Sequence, residues 1–180
     1  MLMTLLRAGL GPMIEKALEI DIKIEAGAWV DELPQLVGLV DLSAAAAVAA
    51  CDLECGNTEL SILMTDDAEM AELNREWRGG NGATNVLSFP GDHGGPGSFL
   101  LGDVVLAFET IVAEATEADI SLADHLTHLV VHGVLHLLGY DHQTDAEADK
   151  MEALEREILQ SLGIPDPYIV NRTEPYEAAS

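Results

Sequence analysis

Residues 125–142 read HLTHLVVHGVLHLLGYDH, and the rest of the chain is interpreted around them. Apolar residues fill most of the positions from 122 to 138 and no proline interrupts them, which predicts a helix buried on most of its faces. Residues four apart lie on one face of a helix, about 6 Å apart, so His132 and His136 can bind one metal ion. Gly139 can end this helix in a left-handed conformation, after which the chain turns back and brings His142 close enough to be a third ligand.

Three neutral imidazoles leave the fourth position of a tetrahedral zinc ion open to water, which is typical of catalytic sites. We therefore predict one zinc ion per chain. His128 continues the same stripe, but it lies roughly 12 Å from His136 and cannot share an ion with it. The metal-binding pair is then 128/132 or 132/136, and the position of His142 selects 132/136. For His128 and His125 we expect core positions or hydrogen bonds to the ligands.

Length and charge limit the possible functions. The chain has 180 residues and a mean hydropathy of +0.18, enough for one domain with a core. Eight Lys and Arg against 32 Asp and Glu give a net charge of −24, which repels nucleic acid unless positive charge is concentrated locally. No Lys or Arg lies between Arg78 and Lys150. No stretch has the length of a membrane span or the pattern of a signal peptide, so we expect a cytoplasmic protein without membrane contacts.

The ends of the chain differ from its middle. We predict an N-terminal extension over residues 1–18, in which Met13 is an alternative start and an amphipathic helix an alternative structure. A single domain follows over residues 19–164. The tail over residues 165–180 contains three prolines and few apolar residues, so we expect it to be poorly ordered. Cys51 and Cys55 are predicted to be reduced, buried thiols, with a redox pair or a metal site as alternatives.

Periodicity predicts strands alternating with helices, a pattern typical of an α/β-like or α+β fold with a small mixed sheet. The predicted strands cover residues 20–24, 59–64, 86–90 and 100–107, and the helices cover 33–50, 68–77, 108–118, 122–138 and 145–162. Ser121 is the expected cap of the histidine helix. The charged residues of the last helix are expected to form a solvated face. His93 lies in a glycine-rich stretch and is interpreted as a loop residue, with metal contact as the alternative.

Two further residues are candidates for the site. Arg78 ends a predicted helix beside a glycine-rich loop, where its guanidinium can bind a phosphate or simply face the helix dipole. Asp141 precedes His142 and can orient an imidazole or form a local hydrogen bond at the end of the helix.

Four blocks, LNREWRG (73–79), TNVLSFP (84–90), LGDVVLA (101–107) and HGVLHLLGYDH (132–142), resemble the bacterial YbeY family of endoribonucleases. The similarity extends over residues 59–163. It implies a single α+β domain, with a four-stranded mixed sheet packed with about five or six helices. It also implies a zinc site formed by His132, His136 and His142, with a catalytic Arg78 nearby. This sequence departs from the family at two places. The loop over residues 79–83 reads GGNGA, where the family commonly has Asp and Pro, and Asn85 stands at a position where Asp is common.

The implied function is a zinc-dependent endoribonuclease specific for single strands, which processes the 3′ end of 16S ribosomal RNA and acts in ribosome quality control. The expected partners are single-stranded or ribosomal RNA and the ribosome or its proteins, but not DNA. Zinc can lower the pKa of water and polarise a phosphoryl oxygen, while an arginine stabilises charge in the transition state. The sequence leaves open whether water attacks phosphorus or the ribose 2′-OH is deprotonated.

Two alternative functions remain. A metallopeptidase helix carries Glu directly after its first histidine ligand, but Gly133 occupies that position, which argues against peptide hydrolysis. The second alternative is a ribosome-assembly factor in which zinc stabilises the fold without catalysis.

Overall fold

The computed structural model describes residues 18–51, 57–91 and 98–169. The chain forms one sheet with helices on both faces. The strands are β1 (Leu18–Ile24), β2 (Asn57–Thr65), β3 (Val86–Pro90) and β4 (Ser98–Ala107). The helices are α1 (Ala28–Glu32), α2 (Leu36–Ala50), α3 (Asp67–Arg78), α4 (Phe108–Glu117), α5 (Leu122–Leu137) and α6 (Asp145–Ser161).

The sheet is mixed, with strand order β1-β2-β4-β3. The β1–β2 and β2–β4 pairs are parallel, and β3 runs antiparallel to β4. Because β4 lies inside the sheet, Val104 packs into the large core cluster on one face and Val105 into a smaller cluster on the other. The predicted buried strand and the predicted α+β fold, with four strands and six helices in the described ranges, are confirmed.

The histidine helix α5 runs through the large core cluster and contacts α2, α4, α6, β3 and β4. Ser121 caps it, as predicted, by accepting a hydrogen bond from the backbone N–H of Asp124. A Cβ atom at Gly133 would lie 2.8 Å from Val104 Cγ1, so the absence of a side chain lets the helix approach the sheet closely. Gly133 therefore has a packing role at the position where a metallopeptidase carries its glutamate.

The structure differs from the predicted elements between β1 and β2. The predicted helix over residues 33–50 starts at Leu36, and the short helix α1 before it was not predicted. Trp29 on α1 is fully buried, donates a hydrogen bond to the Thr65 carbonyl at 3.0 Å, and packs edge-on against Phe108. A five-residue helix is too short to show a helical period, and long-range contacts of one indole hold it in place.

Several predictions fall on residues outside the described ranges. These are nearly all of the N-terminal extension with Met13, Cys55, most of the glycine-rich stretch with His93, and residues 170–180 of the tail. Residues 165–169 are placed, and Tyr168 lies against α5 and α6 through its contacts with His128 and Arg156. Within the described part of the chain, no helix combines the length and apolar character needed to cross a membrane.

Candidate metal centre

The structure brings His132, His136 and His142 together. The Nε2 atoms of His132 and His136, one helical turn apart on α5, are separated by 3.0 Å. The ring centroid of His142 lies 5.6 Å from that of His132 and 5.0 Å from that of His136. One donor nitrogen from each ring lies within 4.8 Å of the others, and this trio is one of two groups in the described residues that can hold a metal ion.

The turn after α5 positions both His136 and His142. Gly139 has a φ of +86°, its N–H donates to the His136 carbonyl, and the N–H of Tyr140 donates to the Leu135 carbonyl at 3.0 Å. This is the Schellman arrangement, in which glycine tolerates the left-handed backbone. The predicted left-handed helix end is confirmed. The turn also places the Tyr140 carbonyl 3.0 Å from His136 Nδ1, and a carbonyl can only accept, so that nitrogen carries the hydrogen.

Glu155 of α6 fixes the other imidazole. Its side chain is fully buried, with Oε1 2.7 Å from His132 Nδ1 and Oε2 accepting a hydrogen bond from the Tyr168 hydroxyl. Burial by itself would raise the pKa of this carboxyl group, but the imidazoles of His128 and His132 and the Tyr168 hydroxyl outweigh it and lower the pKa to about 2. The ionised carboxylate can only accept, so His132 Nδ1 also carries its hydrogen.

These contacts leave two acceptor nitrogens facing each other. With both Nδ1 atoms carrying the hydrogen, two neutral rings would point their Nε2 lone pairs at each other, and two lone pairs cannot form a hydrogen bond. Burial and the neighbouring His132 lower the pKa of His136, which opposes an additional proton. A metal ion removes the conflict: Zn–N bonds of about 2.05 Å in tetrahedral geometry place ligand nitrogens about 3.3 Å apart, close to the 3.0 Å present. The residues therefore fit zinc.

The second group that can hold a metal ion consists of His128, His132 and Glu155. His128 Nε2 is 3.6 Å from Glu155 Oε2 and, within the described residues, has no hydrogen-bond partner. This group is enclosed, since the Glu155 side chain is 0% exposed and Tyr168 covers one of its oxygens. His142, by contrast, is exposed, so solvent can reach the first group, and a catalytic metal needs such access.

Arg78 is connected to the histidines indirectly. Its Nη2 donates to the Ser88 carbonyl at 3.1 Å, and the Ser88 hydroxyl donates to the Gly133 carbonyl at 3.0 Å. Gly133 directly follows His132 on α5. Arg78 is exposed, and no carboxylate lies within ion-pair distance of it in the described ranges. The end of α3 is thus tied, through the edge strand β3, to the helical turn that carries the first histidine.

Asp141 and His125 take part in local networks. Asp141 accepts hydrogen bonds from the backbone N–H of His142 at 2.8 Å and from the Gln143 side chain, and the backbone bond lowers the pKa of its carboxyl group. Of the two interpretations offered for Asp141, the local hydrogen bond is the one present.

His125 Nε2 lies 2.8 Å from a carboxylate oxygen of Glu114. Cys51 lies at the end of α2, where its thiol donates to the Tyr140 hydroxyl at 3.9 Å.

The sequence analysis missed Glu155 and Tyr168. The prediction that the charges of α6 form a solvated face is wrong for Glu155, which has no exposed surface. Its spacing contained a signal, because Glu155 lies four residues after Met151 and three before Ile158, on the apolar stripe. A carboxylate on that stripe requires a buried partner. Tyr168 carried no comparable signal, since it follows two prolines in a segment expected to be poorly ordered.

The fold and the site together define a small α+β protein with a candidate three-histidine metal centre. The family model described as Endoribonuclease YbeY matches residues 35–163. The chain is 52% identical over 157 residues to "Endoribonuclease YbeY" of Paramagnetospirillum magneticum, covering 84% of this chain and 96% of that one. The protein of the same name from Bartonella henselae is 48% identical over 157 residues, with 84% and 97% covered. The chain belongs to the endoribonuclease YbeY family.

One solved structure, a solution structure of a Thermotoga maritima protein, covers 81% of this chain and 91% of its own, with 23% identity and a TM-score of 0.49.

Proposed function

We propose that this member of the family is a zinc-dependent endoribonuclease that cleaves single-stranded RNA. We further propose that it processes the 3′ end of 16S ribosomal RNA and acts in ribosome quality control, a role that places it in the cytoplasm. Family membership supports RNA cleavage. The observation that supports the zinc proposal is the pair of Nε2 atoms on His132 and His136, which face each other at 3.0 Å, a spacing at which one cation can bind both.

In this proposal His132, His136 and His142 hold the ion. A zinc ion bound by three histidines supplies Lewis acidity and lowers the pKa of water to about 7. The Nδ1–H groups of His132 and His136 donate to Glu155 and to the Tyr140 carbonyl. Such partners orient the rings and make the opposite nitrogens more basic. Glu155 and Tyr140 are therefore proposed as positioning residues.

Arg78 is proposed to bind the phosphate at the cleavage site. A guanidinium has five N–H donors, and the bond to the Ser88 carbonyl uses one while restricting the orientation of the group. The remaining donors can stabilise negative charge as it develops on the phosphate oxygens. Water attack on phosphorus and deprotonation of the ribose 2′-OH are both compatible with this role.

The net charge of −24 bears on the partners. Because it repels RNA at long range, we expect weak binding of free RNA that falls steeply with added salt. Productive cleavage would then depend on ribosomal components that present the substrate. Titration of a single-stranded RNA at increasing salt tests this expectation, and tight binding at physiological salt would contradict it.

The central experiment combines metal analysis with RNA cleavage. The purified protein is expected to contain one zinc ion per chain and to cleave a single-stranded RNA faster than its duplex. Removal of the metal by a chelator should abolish cleavage, and added zinc should restore it. Circular dichroism of the metal-free protein serves as the control for folding. A folded, metal-free protein that cleaves at the original rate would overturn the role of zinc, while zinc binding without cleavage would favour the assembly-factor alternative.

A further inference from the structure

Trp77 in the last turn of α3 is an unusually exposed aromatic residue. Its side chain is 64% exposed, whereas the other tryptophan, Trp29, is 0% exposed. Among the Trp, Tyr and Phe side chains that the structure describes, it is the one that is exposed to solvent. An indole has a large apolar face, and one that is left largely in water is available for contact with a ligand or partner.

The ring is nevertheless held in place. Phe89 of the edge strand β3 contacts Trp77 edge-on, with ring centroids 6.1 Å apart and an interplanar angle of 70°. Both residues belong to regular elements, because α3 extends to Arg78 and β3 to Pro90. This support restricts the indole while leaving most of its surface open, which is the geometry of a platform on which a flat group can stack.

Two arginines and two glutamates lie beside this platform in the last two turns of α3. Arg78 follows Trp77 directly, and its guanidinium is oriented by the Ser88 carbonyl. Arg75, one turn earlier, makes only a 3.8 Å contact with Glu72 in which both side chains are largely exposed. Two other described cations are compensated more closely, since Lys23 pairs with Glu25 and Arg156 with two carboxylates, while Lys150 lies over the Tyr140 ring. In a chain of charge −24, Glu72 and Glu76 balance Arg75 and Arg78, so the end of α3 is close to neutral. Within the described residues the Arg78 guanidinium has no carboxylate within ion-pair distance, so it is the group that can contact an anion.

We propose that Trp77 stacks on one unpaired base of single-stranded RNA while Arg78 contacts the neighbouring phosphate. This inference rests on the proposed function and adds a binding residue to it. Aromatic side chains beside basic ones form the usual site for single strands, because every base has a face that can stack. Bases inside a duplex are already stacked, so the platform would favour single-stranded over duplex RNA. A protein partner could also use an exposed indole, but the uncompensated arginine favours RNA.

Two hydrogen bonds connect the platform to the candidate metal centre. The bonds from Arg78 to the Ser88 carbonyl and from the Ser88 hydroxyl to the Gly133 carbonyl link the end of α3 to the residue after His132. A base held on Trp77 would therefore fix the position of the RNA strand relative to the histidines. Trp77 is proposed as a binding residue that does not touch the reacting atoms.

Fluorescence can test this proposal without cleavage. A 2′-O-methyl RNA oligonucleotide cannot be cleaved through its 2′-OH, and gel electrophoresis after the titration checks that the zinc-loaded protein has left it intact. At low salt, the oligonucleotide should quench the emission of Trp77, while the buried Trp29 provides an internal reference. An abasic oligonucleotide with the same number of phosphates should bind about 5- to 150-fold more weakly, the range expected for loss of one stacked base.

Variants complete the test. Because these variants lack the Trp77 emission, their binding is followed by the fluorescence anisotropy of a dye-labelled oligonucleotide. Trp77→Leu should weaken binding by a similar factor and bind the intact and abasic oligonucleotides equally, whereas Trp77→Phe keeps a ring and should retain most of the difference. Equal binding of both oligonucleotides by the unaltered protein would overturn the proposal. If Trp77→Leu binds RNA normally but no longer binds ribosomal particles, the face belongs to a protein partner and the proposal is again overturned.

Failure of the two proposals can be told apart. Quenching that depends on the base, in a zinc-loaded protein that leaves unmodified RNA intact, would support the platform and contradict the proposed nuclease. Zinc-dependent cleavage with binding that does not depend on the base would support the nuclease and contradict the platform.

Discussion

The histidine cluster and the end of α3 are constructed in opposite ways. At the cluster, the Nδ1 atoms of His132 and His136 have hydrogen-bond partners, and one of those partners, Glu155, is completely buried. At the end of α3, Trp77 and Arg78 are exposed, and the contacts that orient them are a single ring contact and a single hydrogen bond to β3.

This difference agrees with two different physical requirements. A metal site needs its donor atoms fixed to within about 0.5 Å, which requires ligands supported by packing and hydrogen bonds. A surface that receives a flexible RNA strand must instead remain accessible and tolerate different bases. We therefore expect changes at the cluster to affect metal content, and changes at the end of α3 to affect RNA with the metal retained.

The largest effect is expected at the cluster. His136→Ala removes one of the two facing nitrogens and should reduce zinc affinity by more than the roughly 100-fold seen when residues around a ligand are replaced. His128→Ala is the matched control, since it removes a histidine from the same helical stripe and should retain one zinc ion per chain. Elemental analysis after gel filtration measures both. Loss of zinc in His128→Ala with retention in His136→Ala would assign the metal to the enclosed group.

The next effect concerns Arg78. Arg78→Ala should lower single-turnover RNA cleavage by about 100- to 1,000-fold, as expected for loss of one positioned donor in the transition state. Zinc content should stay constant and stability should change little, because an exposed charge at a helix end contributes about 0.3–1 kcal/mol. Arg78→Lys keeps the charge but loses the forked donors, and should recover only part of the rate.

Thermal melting and metal analysis of the Arg78 variants provide the control. Cleavage at the original rate in both variants would exclude Arg78 from the reaction, and a large drop in melting temperature would make it a structural residue.

A smaller effect is expected when the support of His132 is altered. Glu155→Gln keeps the size of the side chain but removes the charge that accepts the His132 Nδ1–H, and zinc affinity should fall by about 10- to 100-fold. Glu152→Gln is the matched control on α6, because Glu152 forms a partly exposed pair with Arg156 and contacts none of the described ligand histidines. Its zinc affinity should stay unchanged, and its stability should change by no more than about 0.5 kcal/mol. Competition with a chelator measures both affinities. Equal zinc affinity in the two variants would mean that Glu155 does not support the ligand.

The smallest effect concerns the packing beneath the cluster. Gly133→Ala places a Cβ atom 2.8 Å from Val104 Cγ1. Overpacking costs about 1–3 kcal/mol, but alanine regains about 0.5–1 kcal/mol within a helix, so we expect a net loss of about 0–2.5 kcal/mol. Gly38→Ala in α2, where the added atom meets nothing within 4 Å, should instead stabilise by about 0.4–1 kcal/mol. Thermal melting decides, and a stabilised Gly133→Ala would show that α5 can move away from the sheet.

Features determined by neighbouring residues were predictable from the sequence. The 3.6-residue period of the apolar residues predicted α5, with Ser121 as its cap. The spacing of four residues predicted that His132 and His136 lie on one face of that helix. Gly139 indicated the turn that returns His142. The alternation of strands and helices gave the fold class, and the apolar run of β4 indicated its place inside the sheet.

Features that depend on distant contacts were not predictable in the same way. Glu155 lies 23 residues beyond His132, and its charge fits the usual pattern of a solvated helix face unless its exact place on the apolar stripe is considered. The single turn of α1 depends on the bond from Trp29 to Thr65, 36 residues away. The contact between Trp77 and Phe89 likewise forms only when α3 and β3 are packed together.

The turn that ends α5 links local opening of the backbone to metal binding. To separate His142 from the helix, the chain must break the bond from the Tyr140 amide to Leu135 and displace the carbonyl that holds His136. An ion bound by both His136 and His142 would oppose this opening, so its binding energy adds to the free energy of local unfolding there. Amide hydrogen exchange at Tyr140 should therefore slow in proportion to metal occupancy, and it would report the state of the centre in a protein that is given no RNA.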